Sequence, residues 1–242
     1  MIALLLNSGR GTRMGAETQE HPKCMCRISD DETIISWQVR QLARAGVREA
    51  VVTTGPFADM LREHLESLCS GMVFHYVPNP DYARTNYIVS MYLARHWLQD
   101  DVLSLHGDLV FAPQVLDRLL ASPVSCAVVD SVLPLPDKDF KAEVAQGRIR
   151  AIGVDRFGPG CVASQPAYKF LRADFARWMA EIEAFVLRGE TGCYAENAFN
   201  AAWWDIPLYP MDARGLLCAE IDNPEDQARV SAAFRQLGGQ RS

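Results

Sequence analysis

The sequence has no excess of positive charge: 24 lysines and arginines stand against 30 aspartates and glutamates among 242 residues, a formal net charge of −6. A chain that grips a polyanion normally shows a basic excess or stripe, because phosphate neutralisation supplies most of that affinity. Nucleic acid is therefore not an expected partner, and any phosphate must be gripped locally. Long hydrophobic runs are also missing. The opening apolar run, residues 1–6, is too short to span a bilayer or to serve as the core of a secretion signal. A cytoplasmic location without membrane attachment is expected. The seven cysteines are scattered without a CxxC pair; only Cys24 and Cys26 lie close together, and no Cys or His pair elsewhere answers them. Structural zinc wants two tight ligand pairs, so the expectation is reduced, mostly buried thiols. Low-complexity segments, repeats and linkers are absent, and 49% hydrophobic with 22% charged residues is ordinary globular composition.

What is present alternates. Residues 2–6 form a continuous apolar run ending in a Ser/Gly-rich turn, which suits a buried strand. Residues 34–45 carry helical spacing and stop at Gly46, a helix-ending residue. Residues 50–53 and 72–77 read as strands around a helix at 57–69, residues 86–97 as a further helix, and residues 102–105 as a buried strand running into Gly107 and Asp108. Such βα alternation predicts an α/β, Rossmann-like fold with a mostly parallel central sheet and ligands at the carboxyl ends of its strands. After Asp108 the pattern loosens. Residues 126–130 are strand-like, 143–144 with 149–154 suggest a hairpin around Gln146 and Gly147, and 174–187 and 224–237 read as helices. The simplest organisation is a single domain, with a core at about 1–125 and 216–242 and a smaller inserted lobe at about 126–215.

The most informative stretch is Leu6-Asn7-Ser8-Gly9-Arg10-Gly11-Thr12-Arg13-Met14-Gly15. A strand feeds a loop whose glycines let backbone N–H groups wrap an anion, and Arg13 adds a permanently charged planar fork. It is neither a P-loop nor the dinucleotide GxGxxG, whose third glycine would fall one position earlier. Pro22 and Lys23 follow. Strand, G-x-G-T-R-M and then P-K resemble the signature of nucleotidyltransferases that join a nucleoside triphosphate to a small phosphorylated acceptor. Residues 79–93 (NPDYARTNYIVSMYL), His106-Gly107-Asp108-Leu109-Val110-Phe111, Tyr194-Ala195-Glu196-Asn197 and residues 220–226 resemble blocks of the phosphocholine and phosphonate cytidylyltransferase branch.

That resemblance implies CMP transfer from CTP to a small phosphonate or phosphate monoester, with release of pyrophosphate. Both reactants are anions, so charge neutralisation and positioning dominate. Arg13 and Lys23 are the expected catalytic cations, with residues 6–13 (Leu6, Asn7, Ser8, Gly9, Arg10, Gly11, Thr12, Arg13), Lys23, Gly107 and Asp108 around the triphosphate. Mg²⁺ is usually held by one or two carboxylates plus phosphates and water; Asp108 and, by resemblance, Asp222 are the expected ligands. Each could instead cap a turn or helix. Asn86 and Ser90 lie one helical turn apart and face the same way, so they are candidates to read the base. Thr85 before them reads equally as an N-cap. On the acceptor side Lys141, Lys169, Tyr194, Glu196 and Asn197 are the candidates, with Arg156 alongside the two lysines; aromatics are thin there, which counts against a choline-type acceptor and favours one with an additional negative group. The chain departs from the family pattern where Asn7 and Ser8 replace small residues and where Val154-Asp155 stands in place of a second lysine. Sugar-1-phosphate nucleotidylyltransferases and phosphocholine cytidylyltransferases are the alternatives among enzymes, a nucleotide-binding regulator the alternative outside them, and a homodimer the candidate assembly.

Overall fold

The computed structural model describes residues 1–239. In chain order the elements are β1 (Ile2–Asn7), α1 (Ile34–Arg44), β2 (Glu49–Thr54), α2 (Ala58–Ser67), β3 (Val73–Pro78), α3 (Tyr87–Ala94), β4 (Val102–His106), β5 (Leu109–Phe111) and α4 (Pro113–Ala121). There follow β6 (Cys126–Asp130), the hairpin β7 (Lys141–Ala145) and β8 (Arg148–Gly153), β9 (Cys161–Phe170), α5 (Arg172–Leu187), α6 (Ala195–Ala202), β10 (Tyr209–Asp212), β11 (Cys218–Glu220) and α7 (Pro224–Gly239). Short 3₁₀ turns at Thr12–Gln19 and Lys23–Met25 lie between β1 and α1. No helix among the described residues is long and apolar enough to cross a membrane.

The main sheet runs β10-β6-β9-β4-β1-β2-β3. Pairing is parallel across β4, β1, β2 and β3 and again between β10 and β6. Antiparallel β9 is inserted between β4 and β6, and the β7–β8 hairpin attaches to it. Side chains alternate across a strand, and β1 shows what this does. Ala3 and Leu5 join a core with Ile35, Val39 and Leu42 of α1, Leu61 and Leu65 of α2, and Leu116 of α4. Ile2 and Leu4 join the opposite core with Ile88 of α3, Trp178 of α5 and Phe199 of α6. Both faces are covered, which is why the strands read as apolar runs without alternation.

The second half holds more regular structure than its loose pattern suggests. The segment expected to form a smaller inserted lobe supplies β6, β9 and β10 to the main sheet. The predicted hairpin is present, with Gln146 and Gly147 at φ 53° and 74° in its turn. A two-stranded antiparallel ribbon of β5 and β11 completes the fold, pairing Leu109 with Glu220. It brings the end of the chain back to the carboxyl end of β4. Residues 240–242, included in the expected core, lie outside the described residues.

Candidate active site

The loop after β1 turns at Gly11, whose φ of 64° is a left-handed conformation that glycine adopts without strain. Thr18 Oγ donates to the Gly11 carbonyl at 2.8 Å and closes the turn. The neighbouring strand end is equally constrained. The Gly107 N–H donates to the Leu6 carbonyl at 3.0 Å, and a Cβ at Gly107 would lie 1.9 Å from Asn7 Oδ1. These two strand ends, the start of α3 and β11 surround one cleft of about 390 Å³. Leu6, Asn7, Ser8, Gly9, Arg10, Gly11, Thr12, Arg13, Lys23, Asn86, Gly107, Asp108, Tyr194 and Asp222 all line it. Ser90 does not. It is fully buried beneath the loop, its Oγ 2.6 Å from Ser8 Oγ and accepting from Asn79 Nδ2 at 3.0 Å. Asn86, not Thr85, caps α3, with its Oδ1 accepting from the Tyr87 N–H at 2.8 Å.

Lys23 stands at the centre of the charges. Its Nζ lies 2.6 Å from Asp108 Oδ2 and 2.6 Å from Asp222 Oδ1, and Arg13 Nη1 reaches Asp222 Oδ2 at 2.9 Å from the solvent side. Burial alone would lower the Lys23 pKa, but the two carboxylates outweigh it and hold the ammonium charged well above the usual range. Asp108 is correspondingly held below the ordinary carboxylate value: burial pushes it up, and Lys23, with His106 and Glu220, more than reverses that. Glu220 behaves oppositely. Burial and the nearby Asp108 push it up to about 7. His106 Nδ1 lies 3.4 Å from Glu220 Oε1; burial works against its charged form, but Glu220, with Asp108 and Glu196, raises its pKa overall.

This donor set can be tested against a divalent cation. Asp108 and Asp222 aim carboxylate oxygens at a common point, and Asp108 Oδ1 is buried with no hydrogen-bond partner among the described residues. Two carboxylates beside an anion-binding loop fit a hard, oxygen-seeking ion that completes its shell with phosphates and water.

The acceptor side differs from the sequence expectation. Lys141 is fully buried and lines no part of the cleft: its Nζ donates to the Pro136 carbonyl at 2.7 Å, beneath the Phe157 ring. Lys169, on β9, donates to the carbonyls of Leu120 (3.0 Å) and Ser122 at the end of α4. Arg156 is absent from the cleft lining, and Asn197 is exposed on α6. What stands there instead is aromatic. Tyr194 packs 5.1 Å from Phe140 and 6.0 Å from Tyr87, centroid to centroid, and Tyr87 meets His106 edge-on at 4.7 Å. Behind them Glu196 is buried, accepting from the hydroxyls of Tyr87 and, at 2.8 Å, Tyr168. The aromatics come from three distant segments, so no single stretch of sequence looks aromatic. Glu220 was also missed, although it precedes Asp222 by two in an extended segment and therefore shares its face.

Residues 3–164 match the model of the MobA-like NTP transferase domain. The chain belongs to this nucleotidyltransferase family. It is 32% identical over 96% of its length to the CMP-5'-(3-aminopropyl)phosphonate synthase of Streptomyces rubellomurinus, spanning 38% of that protein. It is 28% identical over 97% of its length to the choline-phosphate cytidylyltransferase of Streptococcus pneumoniae, covering 99% of it. The inositol-1-phosphate CTP transferase of T. maritima has the same fold, at a TM-score of 0.80 and 21% identity over 98% of this chain and 95% of that one.

Proposed function

We propose that this chain is a Mg²⁺-dependent cytidylyltransferase that moves CMP from CTP to a small phosphonate or phosphate monoester bearing an amine. The observation that carries the transfer chemistry is the Lys23 ammonium clamped between Asp108 and Asp222 at the mouth of the glycine loop. The identities of the relatives support CTP as donor and a phosphonate or phosphate as acceptor.

In this reading the backbone N–H groups of residues 8–13 and the Arg13 guanidinium hold the β- and γ-phosphates. Lys23 neutralises the charge that builds on the α-phosphate. An oxygen of the acceptor phosphonate attacks the α-phosphorus, the bond from that phosphorus to the bridging oxygen breaks, and pyrophosphate departs with the electron pair. The acceptor is already ionised, so no side chain needs to remove a proton. Asp108 and Asp222 would hold Mg²⁺, which supplies electrostatic stabilisation of the phosphates. The aromatic group of Tyr87, Phe140 and Tyr194, with the Glu196 carboxylate behind it, suits an ammonium group, since ring faces attract cations and a buried carboxylate reinforces the field. With Lys141 and Lys169 engaged elsewhere, an acceptor with an extra carboxylate loses those two cations, and Lys138 is the lysine of that segment that lines the cleft. A cytoplasmic location and a homodimer accompany this reading, the latter checked by light scattering.

Phosphorus NMR of reactions containing Mg²⁺ tests it, with CTP, UTP, GTP or dTTP as donor and 3-aminopropylphosphonate, 2-aminoethylphosphonate, phosphocholine, phosphonoformate or glucose 1-phosphate as acceptor. The expected result is a CMP-linked product with an aminophosphonate. Turnover confined to glucose 1-phosphate or to phosphonoformate would overturn the acceptor assignment, and turnover confined to UTP the donor.

A further inference from the structure

Residues 131–140, between β6 and β7, form neither helix nor strand, yet the segment is tied down at both ends. At its start Asp130 Oδ1 accepts from the N–H groups of Val132 (2.8 Å) and Leu133 (3.2 Å), and the Ser131 hydroxyl donates to Asp212 Oδ2 at 2.6 Å. At its end the buried Lys141 donates to the Pro136 carbonyl at 2.7 Å and the Asp137 carbonyl at 3.4 Å, and the Phe140 ring is buried against Tyr194. What this bracing presents to the cleft is Lys138. It lines the cleft beside Asp139 and Phe140, and it forms no ion pair among the described residues. Arg13 and Lys23, by contrast, are both engaged by carboxylates. Arg10 is also without a carboxylate partner among the described residues, but it belongs to the glycine loop.

The neighbours of Lys138 fix its place along the cleft. Two residues on, Phe140 packs 5.1 Å from Tyr194, and two residues span at most about 7 Å of chain. Between them, partial burial raises the Asp139 pKa and the carboxylates of Asp222 and Asp226 add to it, so the segment runs from the aromatic group toward Asp222. An acceptor whose ammonium lies against the rings, and whose oxygen meets the α-phosphorus beside Lys23, carries its phosphonate along the stretch that Lys138 flanks. We propose that Lys138 binds the phosphonate or phosphate oxygens of the acceptor and orients them for attack, an assignment that rests on the cleft being a CMP-transfer site. The side chain suits the task. An ammonium on a flexible stem offers three donors, so it can hold one acceptor oxygen while another attacks, and its charge offsets the repulsion between acceptor and triphosphate. Because the segment is braced before the acceptor arrives, little further ordering is needed on binding.

Steady-state CMP transfer from CTP to 3-aminopropylphosphonate, in wild type, Lys138→Met and Lys138→Arg, tests the assignment. Lys138 is exposed, so Lys138→Met should melt within about 2 °C of wild type. Its acceptor KM should rise about ten- to hundredfold, the loss expected for one charge-assisted contact, with CTP KM within about threefold, and Lys138→Arg should recover most of the difference. Propylphosphonate keeps the phosphonate and lacks the amine. Its calorimetric binding needs no turnover and should be at least about tenfold weaker in Lys138→Met. An acceptor KM or a propylphosphonate affinity unchanged in Lys138→Met would overturn the proposal. So would a CTP KM that rises as much as the acceptor KM, which assigns Lys138 to the triphosphate, or a loss confined to phosphonoformate, which assigns it to an acceptor carboxylate. Absence of CMP transfer by the wild type would instead remove the proposed function, and the propylphosphonate titration would still decide whether Lys138 holds a phosphonate.

Discussion

Replacing Lys23 with Met should move two measurements in opposite directions. The lysine side chain is 15% exposed, and its ammonium is the one cation touching both Asp108 and Asp222 among the described residues. Of the two carboxylates, Arg13 reaches Asp222 alone among the described residues, and its own side chain is 70% exposed. Turnover should fall by roughly 10²- to 10³-fold, the usual consequence of removing a preorganised group aimed at developing charge. Divalent-cation affinity of the nucleotide-free protein should rise. A unit charge about 4 Å away at an effective dielectric near 20 is worth about 4 kcal/mol. The open cleft lets water screen part of that, leaving on the order of 1–3 kcal/mol, or roughly ten- to hundredfold tighter binding once the ammonium no longer competes for the carboxylates. Without metal the variant should be less stable, by about 3 kcal/mol, because two facing carboxylates lose their shared partner. Millimolar Mg²⁺ should recover most of that. Pyrophosphate-release kinetics, calorimetric Mg²⁺ titration and thermal melting with and without metal read the three effects. Turnover within a few-fold of wild type, or a metal affinity that falls together with turnover, would mean that Lys23 is a strut and not the charge at the reacting phosphorus.

Four further outcomes follow from particular contacts. Ser90→Ala removes the hydroxyl that joins Ser8 to Asn79, so KM for CTP should rise about five- to thirtyfold with kcat and acceptor KM nearly unchanged, measured by steady-state kinetics. Gly107→Ala places a methyl carbon 1.9 Å from Asn7 Oδ1 and 2.8 Å from the Leu6 carbonyl, and should cost about 1–3 kcal/mol of stability in denaturant melts. Lys169→Met should destabilise by about 1–2 kcal/mol through the lost α4 carbonyl contacts while leaving acceptor KM unchanged, separating an internal tie from a ligand contact. Glu220 is raised from an ordinary 4.5 to about 7, so folding takes up a proton between those values; the metal-free protein should lose stability as pH rises through that window, by at most about 1.4 kcal/mol per pH unit, and Glu220→Gln should flatten the slope of melting temperature against pH.

The phosphate loop and the first half of the sheet were legible because their signals are local. The apolar run of β1, the helical spacing of α1 and Gly46 at φ 86° need no distant partner to be recognised. The strand β9 was not, for a physical reason. It lies between β4 and β6 with eight consecutive buried residues, yet it contains Pro166 and Lys169, which normally argue against a central strand. Pro166 falls within the interruption of the ladder to β6, where a missing N–H is tolerated, and Lys169 finds carbonyls at the end of α4. Neither accommodation has a sequence signal. Lys141 misled in the same way: a lysine beside acceptor-like motifs reads as a solvent-facing cation, but its stem is packed and its head satisfied by the backbone carbonyls it ties down.

The cation cluster shows where spacing stops being informative. Asp108 was identifiable after an apolar strand and Asp222 through the family resemblance, but what joins them is the antiparallel ribbon of β5 and β11 and the Ile221 N–H donating to the Asp108 carbonyl at 3.0 Å. That single ladder fixes three things together. It sets Asp222 opposite Lys23, it places Glu220 on the same face as Asp222, and it carries Glu220 to His106 at the end of β4. A chain of net charge −6 thus converges three carboxylates on one ammonium and one imidazole beside a loop built for anions. In such a site the free protein is short of positive charge and the bound triphosphate is rich in negative charge. Only an added cation balances both, so divalent-metal affinity and CTP affinity should each increase the other by the same factor.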